Sequence, residues 1–242
     1  MADGKYAAIS GAVARMHKLD NISEHLASAR TPGYKKGTVT FAARLGEATS
    51  GMASNATNFT GLTAHRIDFS PGHMEHSGNP LDVAVNGEGF FQILRPDGEF
   101  GYTRKGSFQL NGDGLLIDSN GYPVTGPNGE DIILDRSDID ILSNGSIWID
   151  EQQVAQIGLF LFDDNGLLQR AGQDLFVPVG DTVPQPHPEP EIVQHSIEGS
   201  NVNLMEEMAR MTSNLRAFEA NQKALKTYSD MNAKATEMGL VQ

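Results

Sequence analysis

Cysteine is absent from all 242 residues, so neither a disulfide framework nor a thiolate metal site is open to this chain. That absence says nothing about compartment, since exported and cytosolic proteins alike do without cysteine. No run reaches the roughly 18 apolar residues of a membrane span, so direct insertion into a membrane is not expected. The opening Met1-Ala2-Asp3-Gly4-Lys5-Tyr6 has no basic segment followed by an apolar one, and any export is expected to use a route other than a cleaved hydrophobic signal. Basic charge is scarce where the chain is most structured. Between residues 37 and 199 seven Lys/Arg stand against twenty-three Asp/Glu, whereas the two ends are nearly neutral and the whole carries −13. An acidic body repels phosphates and anionic lipid, so nucleic acid is not an expected partner.

Proline and glycine are missing from residues 204–238, and what fills that stretch is a long striped helix. Leu204, Met208, Met211, Leu215, Phe218 and Leu225 follow one another at spacings of four and three, with Gln222 alone interrupting the series. This is the 3.5-residue repeat of a coiled-coil seam. Asn203 with Glu206 three residues on makes a capping-box-like start. Such a helix runs about 50 Å at 1.5 Å per residue, which is too long for one small domain to hide. It needs a partner, and Gln222 is a candidate for the polar contact that sets its register.

A second helix is expected over residues 3–29. Tyr6, Ile9, Val13, Met16, Leu19, Ile22 and Leu26 recur every three or four positions, and Thr31-Pro32-Gly33 ends the pattern. Asn21, Ser23 and His25 are expected on its solvated face, with bridging to neighbouring chains as the alternative. Residues 37–80 are rich in glycine and small polar residues and read as an extended connector, with Thr38–Phe41 and His65–Phe69 suggesting isolated strands. From Leu81 to about Pro178 short alternating segments such as Leu81–Val85, Gly89–Leu94, Ser146–Asp150 and Ile157–Phe162 are separated by Asn-Gly and Asp-Gly turns, the pattern of an antiparallel β body. Pro184, Pro186, Pro188 and Pro190 then form a strut favouring polyproline II.

Catalytic chemistry finds no constellation. Gly87-Glu88-Gly89 has Gln92 in place of a third glycine, and there is neither a phosphate loop nor a nucleophile elbow. His73-Met74-Glu75-His76 sits among Pro71, Gly72, Gly78 and Pro80 and reads as a surface turn rather than a metal site. The acidic groups at Asp135, Asp138 and Asp140 and at Asp163-Asp164 miss the spacing of a calcium loop. No catalytic, cofactor or metal residue is therefore named, and no enzyme is expected.

Three stretches carry a resemblance. Leu26, Ala27, Thr31, Gly33, Tyr34 and Lys35 match an Asn-Asn-Leu-Ala-Asn, two residues, Thr-Pro/Thr-Gly-Tyr/Phe-Lys signature, with Glu24, His25, Ser28 and Arg30 standing where asparagine is usual. Asn79–Phe91 with Tyr102–Phe108 is similar to a central motif, and Glu198-Gly199-Ser200-Asn201-Val202-Asn203 to a C-terminal one. In this order they resemble the flagellar axial proteins, the rod and hook family. Length and the C-terminal motif favour the rod. Gly121–Gly126, Ser146–Asp150 and Gln156–Leu159 look most like the proximal-rod branch, with the distal rod as alternative.

The resemblance implies a structural subunit, exported by the flagellar type III apparatus, that stacks with copies of itself and other rod proteins around a channel and needs no cofactor. The expected fold class is α+β, with long terminal helices pairing as a coiled-coil-like core, a central all-β domain and extended connectors. The expected domains are residues 1–36 and 201–242 for the helical core, 37–80 for the connector, 81–180 for the β domain and 181–200 for the strut. Expected subunit-packing residues are Ile9, Val13, Met16, Ile22, Leu26, Leu204, Met208, Met211, Leu215, Phe218, Gln222 and Leu225. The family motif adds Thr31, Gly33, Tyr34, Lys35, Ser200, Asn201, Val202 and Asn203. From residues alone, two rivals stay open: a wall-active hydrolase or carbohydrate-binding module on a helical stalk, and a helical hairpin closed within one chain.

Overall fold

The computed structural model describes residues 2–45, 58–172, 174–180 and 182–239. The chain divides into two compact units, one made of Met1–Ala27, Gly37–Arg66 and Asn203–Gln242, the other of Ser28–Lys36 and Ile67–Val202.

In the first unit helix α1 covers Ala2–Ala27 and helix α2 covers Leu204–Gly239. Strands β1 (Gly37–Leu45) and β2 (Asn58–Ile67) pair as a two-stranded sheet. Helix α2 starts where Asn203 caps it, its side-chain oxygen accepting from the amides of Met205 and Glu206 at 3.1 and 3.2 Å. The other half of a capping box is not made, because Glu206 instead pairs with Arg210 one turn on. Glu206 and Glu207 in the first turn favour the positive end of the helix dipole.

The second unit is antiparallel β. Its strands in chain order are β3 (Met74–His76), β4 (Val83–Val85), β5 (Phe90–Leu94), β6 (Phe100–Thr103), β7 (Gln109–Leu110), β8 (Leu116–Ile117) and β9 (Asp140–Ile141). Then follow β10 (Ser146–Ile149), β11 (Gln152–Gln156), β12 (Leu159–Leu161), β13 (Leu168–Arg170), β14 (Leu175–Pro178), β15 (Gln185–Pro186), β16 (Ile192–Gln194) and β17 (Ser196–Glu198). The main sheet has the order β13-β14-β6-β5-β12-β15, and a smaller one the order β11-β10-β9. Adjacent side chains of a strand point to opposite faces, and Phe90 and Phe91 show the consequence. Phe91 enters a core with Val83, Ile93, Phe108, Val124 and Ile147, while Phe90 enters another with Tyr102, Phe160, Phe162 and Phe176. The second core is held by edge-to-face aromatic contacts, Tyr102 with Phe162 at 4.8 Å among them.

The fold expected from the sequence is corrected here. Among the described residues only two α-helices occur, and they pair, but not through a coiled-coil-like seam of the apolar series. Glu207 and Asn214 are buried on α2 while Leu204, Met208 and Leu215 stay exposed. The reason is polar: Asn214 donates from Nδ2 to the Arg15 carbonyl at 2.8 Å and accepts from Arg15 Nη1 at 3.4 Å, and Glu207 lies 3.5 Å from His25. These bonds fix the rotation of α2 about its axis and turn half of the apolar stripe outward. The connectors are not merely extended either. Described residues on both sides of 46–57 form the β1–β2 pair, and residues 46–57, with Gly46 and Gly51 of the connector, lie outside the described residues. The proline-rich stretch adds β15 at the end of the main sheet, where Pro186 pairs with Phe160. An edge position tolerates proline because its missing N–H faces no partner strand.

Candidate functional site

Two arrangements gather the residues singled out by the sequence. In the helical unit, α2 turns Glu207, Met211, Asn214, Phe218, Asn221 and Leu225 inward. Glu207 and Asn214 are buried, while Met211, Phe218, Asn221 and Leu225 are half-buried. The spacings are again four and three, so this is a seam of the expected period shifted one residue from the expected one, with Glu207, Asn214 and Asn221 replacing Met208, Leu215 and Gln222. On α1, Ile22 and His25 are buried and Leu26 half-buried. Gly11 faces Asn221, where a β-carbon would lie 3.6 Å from Nδ2, an ordinary contact distance.

The remaining residues of the stripe point away. Ile9, Val13 and Met16 on α1, and Leu204, Met208 and Leu215 on α2, are each 40 to 54% exposed, and Gln222 is exposed beside them in the heptad series. Each helix thus carries an apolar row that no described residue of its own chain covers. His25, which a solvated face was expected to hold, is only 3% exposed. Its Nε2 accepts from the Gly37 amide at 3.1 Å, which leaves Nδ1 to carry the hydrogen and face Glu207.

The second arrangement lies in the β unit, where the two terminal signatures meet. Gly33 N donates to the Glu198 carbonyl at 2.7 Å, and Asn201 N to the Tyr34 carbonyl at 3.3 Å. Asn201 Oδ1 accepts from Lys36 N at 2.8 Å while its Nδ2 donates to the carbonyls of Asp68 and Ser70. One asparagine therefore ties three chain segments, using both faces of its amide. Ser200 Oγ accepts from Val202 N, Ser200 is buried and Val202 half-buried. Thr31 N closes a turn onto the Ser28 carbonyl.

Beneath this junction Lys35 is fully buried, its ammonium 2.5 Å from Glu198 Oε1 and 2.9 Å from the Ser70 carbonyl. Glu198 also accepts from the Gly72 amide and faces Arg104 at 3.6 Å. Burial pulls the Lys35 ammonium below its ordinary range, and the adjoining Glu198 carboxylate opposes that pull. Arg170 closes the cluster by stacking over the Tyr34 ring at 4.4 Å and donating to the Lys35 carbonyl. Two cations share one carboxylate with water excluded, so the group holds the junction in one geometry.

Sequence reading singled out Lys35 and Asn201 and met Arg104 and Glu207 only as members of motif stretches; Arg15, Asn214 and Arg170 it did not name. The available signal was the seven-residue recurrence of Glu207, Asn214 and Asn221, which a search for apolar seams passes over. Among the described residues no group of three His, Cys, Asp or Glu side chains converges as a metal site, and His73 instead pairs with Glu75 in solvent. No helix of the described residues is long and apolar enough to cross a membrane.

Residues 84–158 match the family model described as the flagellar hook protein FlgE/F/G D1 domain, and residues 193–238 match that of the flagellar basal body rod FlgEFG protein C-terminal region. The chain is 32% identical to the flagellar basal-body rod protein FlgF of Mesorhizobium japonicum over 90% of both chains. It is 28% identical to FlgF of Caulobacter vibrioides over 98% of both. To the flagellar basal-body rod protein FlgG of Buchnera aphidicola it is 29% identical, over 95% of this chain and 96% of that one.

Proposed function

This chain belongs to the family of flagellar basal-body rod proteins, and from that premise we propose that the outward apolar rows of its two helices are the surfaces by which it stacks into the rod. It is a structural subunit of the flagellar basal body. The observation that carries the proposal is the exposed row Leu204, Met208 and Leu215 on a helix whose other face is already closed within the chain. About half of each side chain is still in water, and burying it between subunits is worth roughly 1 kcal/mol apiece. Ile9, Val13 and Met16 present the matching row on α1, and Gln222 is the polar position that sets register among neighbours.

The neighbours are copies of this chain and other rod proteins, and the flagellar type III apparatus delivers the subunit. Stacked helices line the export channel and carry torque. The polar junction at Lys35, Glu198 and Asn201 holds the family motif in shape. Its role is positional, and the subunit performs no catalysis.

Within the rod the proximal, FlgF-like position is favoured. The alignment with the Caulobacter protein covers 98% of each chain in 240 positions, whereas that with the Buchnera FlgG needs 258 positions for 95% of this one. The FlgG alignment therefore carries insertions that this chain lacks. Complementation of strains lacking either rod protein separates the two positions, and rescue of the FlgG deletion alone overturns the assignment. For the packing surface the decisive variant is Leu215→Asp. It is expected to leave the isolated chain folded, by circular dichroism and urea titration, while abolishing incorporation into purified basal bodies. Wild-type incorporation of that variant defeats the proposal.

A further inference from the structure

Trp148 is the only tryptophan in the chain, and it does not sit in either core. It lines an open cleft of about 450 Å³ on the small three-stranded sheet, together with Asp140, Ile141, Leu142, Glu151 and Gln194. Three features set this place apart from an ordinary surface dip. The register between β10 and β11 shifts between Ile147 and Trp148, a bulge that re-aims the indole. The two-residue turn that joins these strands is Asp150-Glu151, and both acids hold positive φ, 47° and 63°, where asparagine and glycine are the usual occupants. The indole N–H is buried and has no acceptor among the described residues.

The lining chemistry limits what fits. Asp140 pairs across the strands with Trp148, so one carboxylate stands directly opposite the indole, and Glu151 supplies a second. Asp140 and Glu151 are exposed, and no lining residue is basic. Arg136, the nearby cation, already pairs with Asp150 at 2.8 Å. Gln194 is saturated: its amide donates to the carbonyls of Pro80 and Ile139, each at 2.8 Å, and its oxygen accepts from Ile141 N at 3.1 Å. What is left free is two anionic acceptors, an aromatic ring, and the exposed apolar side chain of Leu142.

We infer that this cleft receives a basic peptide segment of a neighbouring protein. A Lys or Arg side chain lies over the ring between Asp140 and Glu151, and an adjoining apolar side chain covers Leu142. Cation over tryptophan flanked by carboxylates combines ring quadrupole and ion pairing in a partly dry site. The surplus of acidic residues across 37–199 steers such a segment toward this body. This surface is separate from the helix rows, so its failure leaves those untouched.

Because Trp148 is unique, its emission reports occupancy of this cleft alone. The probe is a capped tetrapeptide of alternating leucine and arginine, with its glutamate-for-arginine counterpart and chitotriose as comparators, titrated into the full chain. A saturable change in indole emission with the arginine peptide only is expected. It should weaken at least tenfold in the double variant Asp140→Asn/Glu151→Gln and at about 1 M salt, where the Debye length falls to about 3 Å. Both substituted residues are exposed, so unchanged circular dichroism is expected for the variant. No saturable change, an equal affinity in the double variant, or saturation by chitotriose in place of the peptide each overturns the inference, the last by making the cleft a sugar site.

Discussion

Gly33 shows how little freedom the terminal signature leaves at single positions. Its φ is +70°, and a β-carbon there would lie 2.5 Å from the Lys105 amide nitrogen. Gly33→Ala therefore meets both a disfavoured conformation and backbone that has nowhere to go. Urea denaturation should show a loss of about 2 to 4 kcal/mol. Glu198 is constrained by charge rather than space. Glu198→Gln leaves Lys35 and Arg104 buried without their carboxylate, which should cost roughly 3 to 5 kcal/mol. Lys35→Met in the same background should recover part of it by removing one stranded cation, and strict additivity of the two losses would argue against the cluster acting as a unit.

A pH dependence also belongs to this scale. Burial pushes the Asp68 carboxyl up, but the amide and hydroxyl of Ser70 together with Lys36 outweigh it and hold Asp68 below its ordinary value of 3.8. A depressed folded pKa means that the stabilisation is complete above the unfolded value and is lost as pH falls through the folded one. The difference in urea midpoint between wild type and Asp68→Asn should hold down to about pH 4 and shrink below it. A difference that stays constant to about pH 2 contradicts this assignment.

At the scale of elements, the two faces of α2 have different duties and should respond differently to the same insult. Phe218→Asp introduces a charge into the face turned toward α1, so it should lower thermal stability of the helical unit as well as block assembly. Leu215→Asp, about 60° round the helix and more exposed, should block assembly with little loss of stability. Asn214→Ala removes both bonds to Arg15, a loss of about 1 to 3 kcal/mol readable by hydrogen exchange in α1. Indistinguishable behaviour of the Leu215 and Phe218 variants would mean that α2 has no fixed rotation.

At the scale of the whole molecule, the proposed packing surface assigns stability and assembly to different chemistry. The β unit closes around two apolar cores and a buried ionic junction, and it has what a folded body needs without neighbours. The helical unit instead closes one seam with polar groups and leaves the apolar rows outward. That division suits a subunit that must be soluble before it is incorporated, since hydrogen-bonded side chains orient the helices while the larger hydrophobic gain is withheld until neighbours arrive.

The amino-acid order alone determined the element types and the family. Repeats of 3.5 and 2, proline and Asn-Gly punctuation, and three short signatures are local properties, legible wherever the chain goes. Helix α2 was expected over residues 203–237 and spans Leu204–Gly239, and α1 was expected over 3–29 and spans Ala2–Ala27. Only the tertiary structure decided which face of each helix is inward. Two seams one residue apart, one through Met208 and Leu215 and one through Glu207 and Asn214, have the same period, and pattern reading prefers the apolar one. Bonds from His25 and Arg15, 182 and 199 residues away in sequence, selected the other. In the same way Asn201 reads only as one member of a short motif, but its amide is consumed by Lys36, Asp68 and Ser70, partners that only the fold brings within reach. Partner choice between distant polar groups depends on where the backbone has been carried, and no local pattern encodes that.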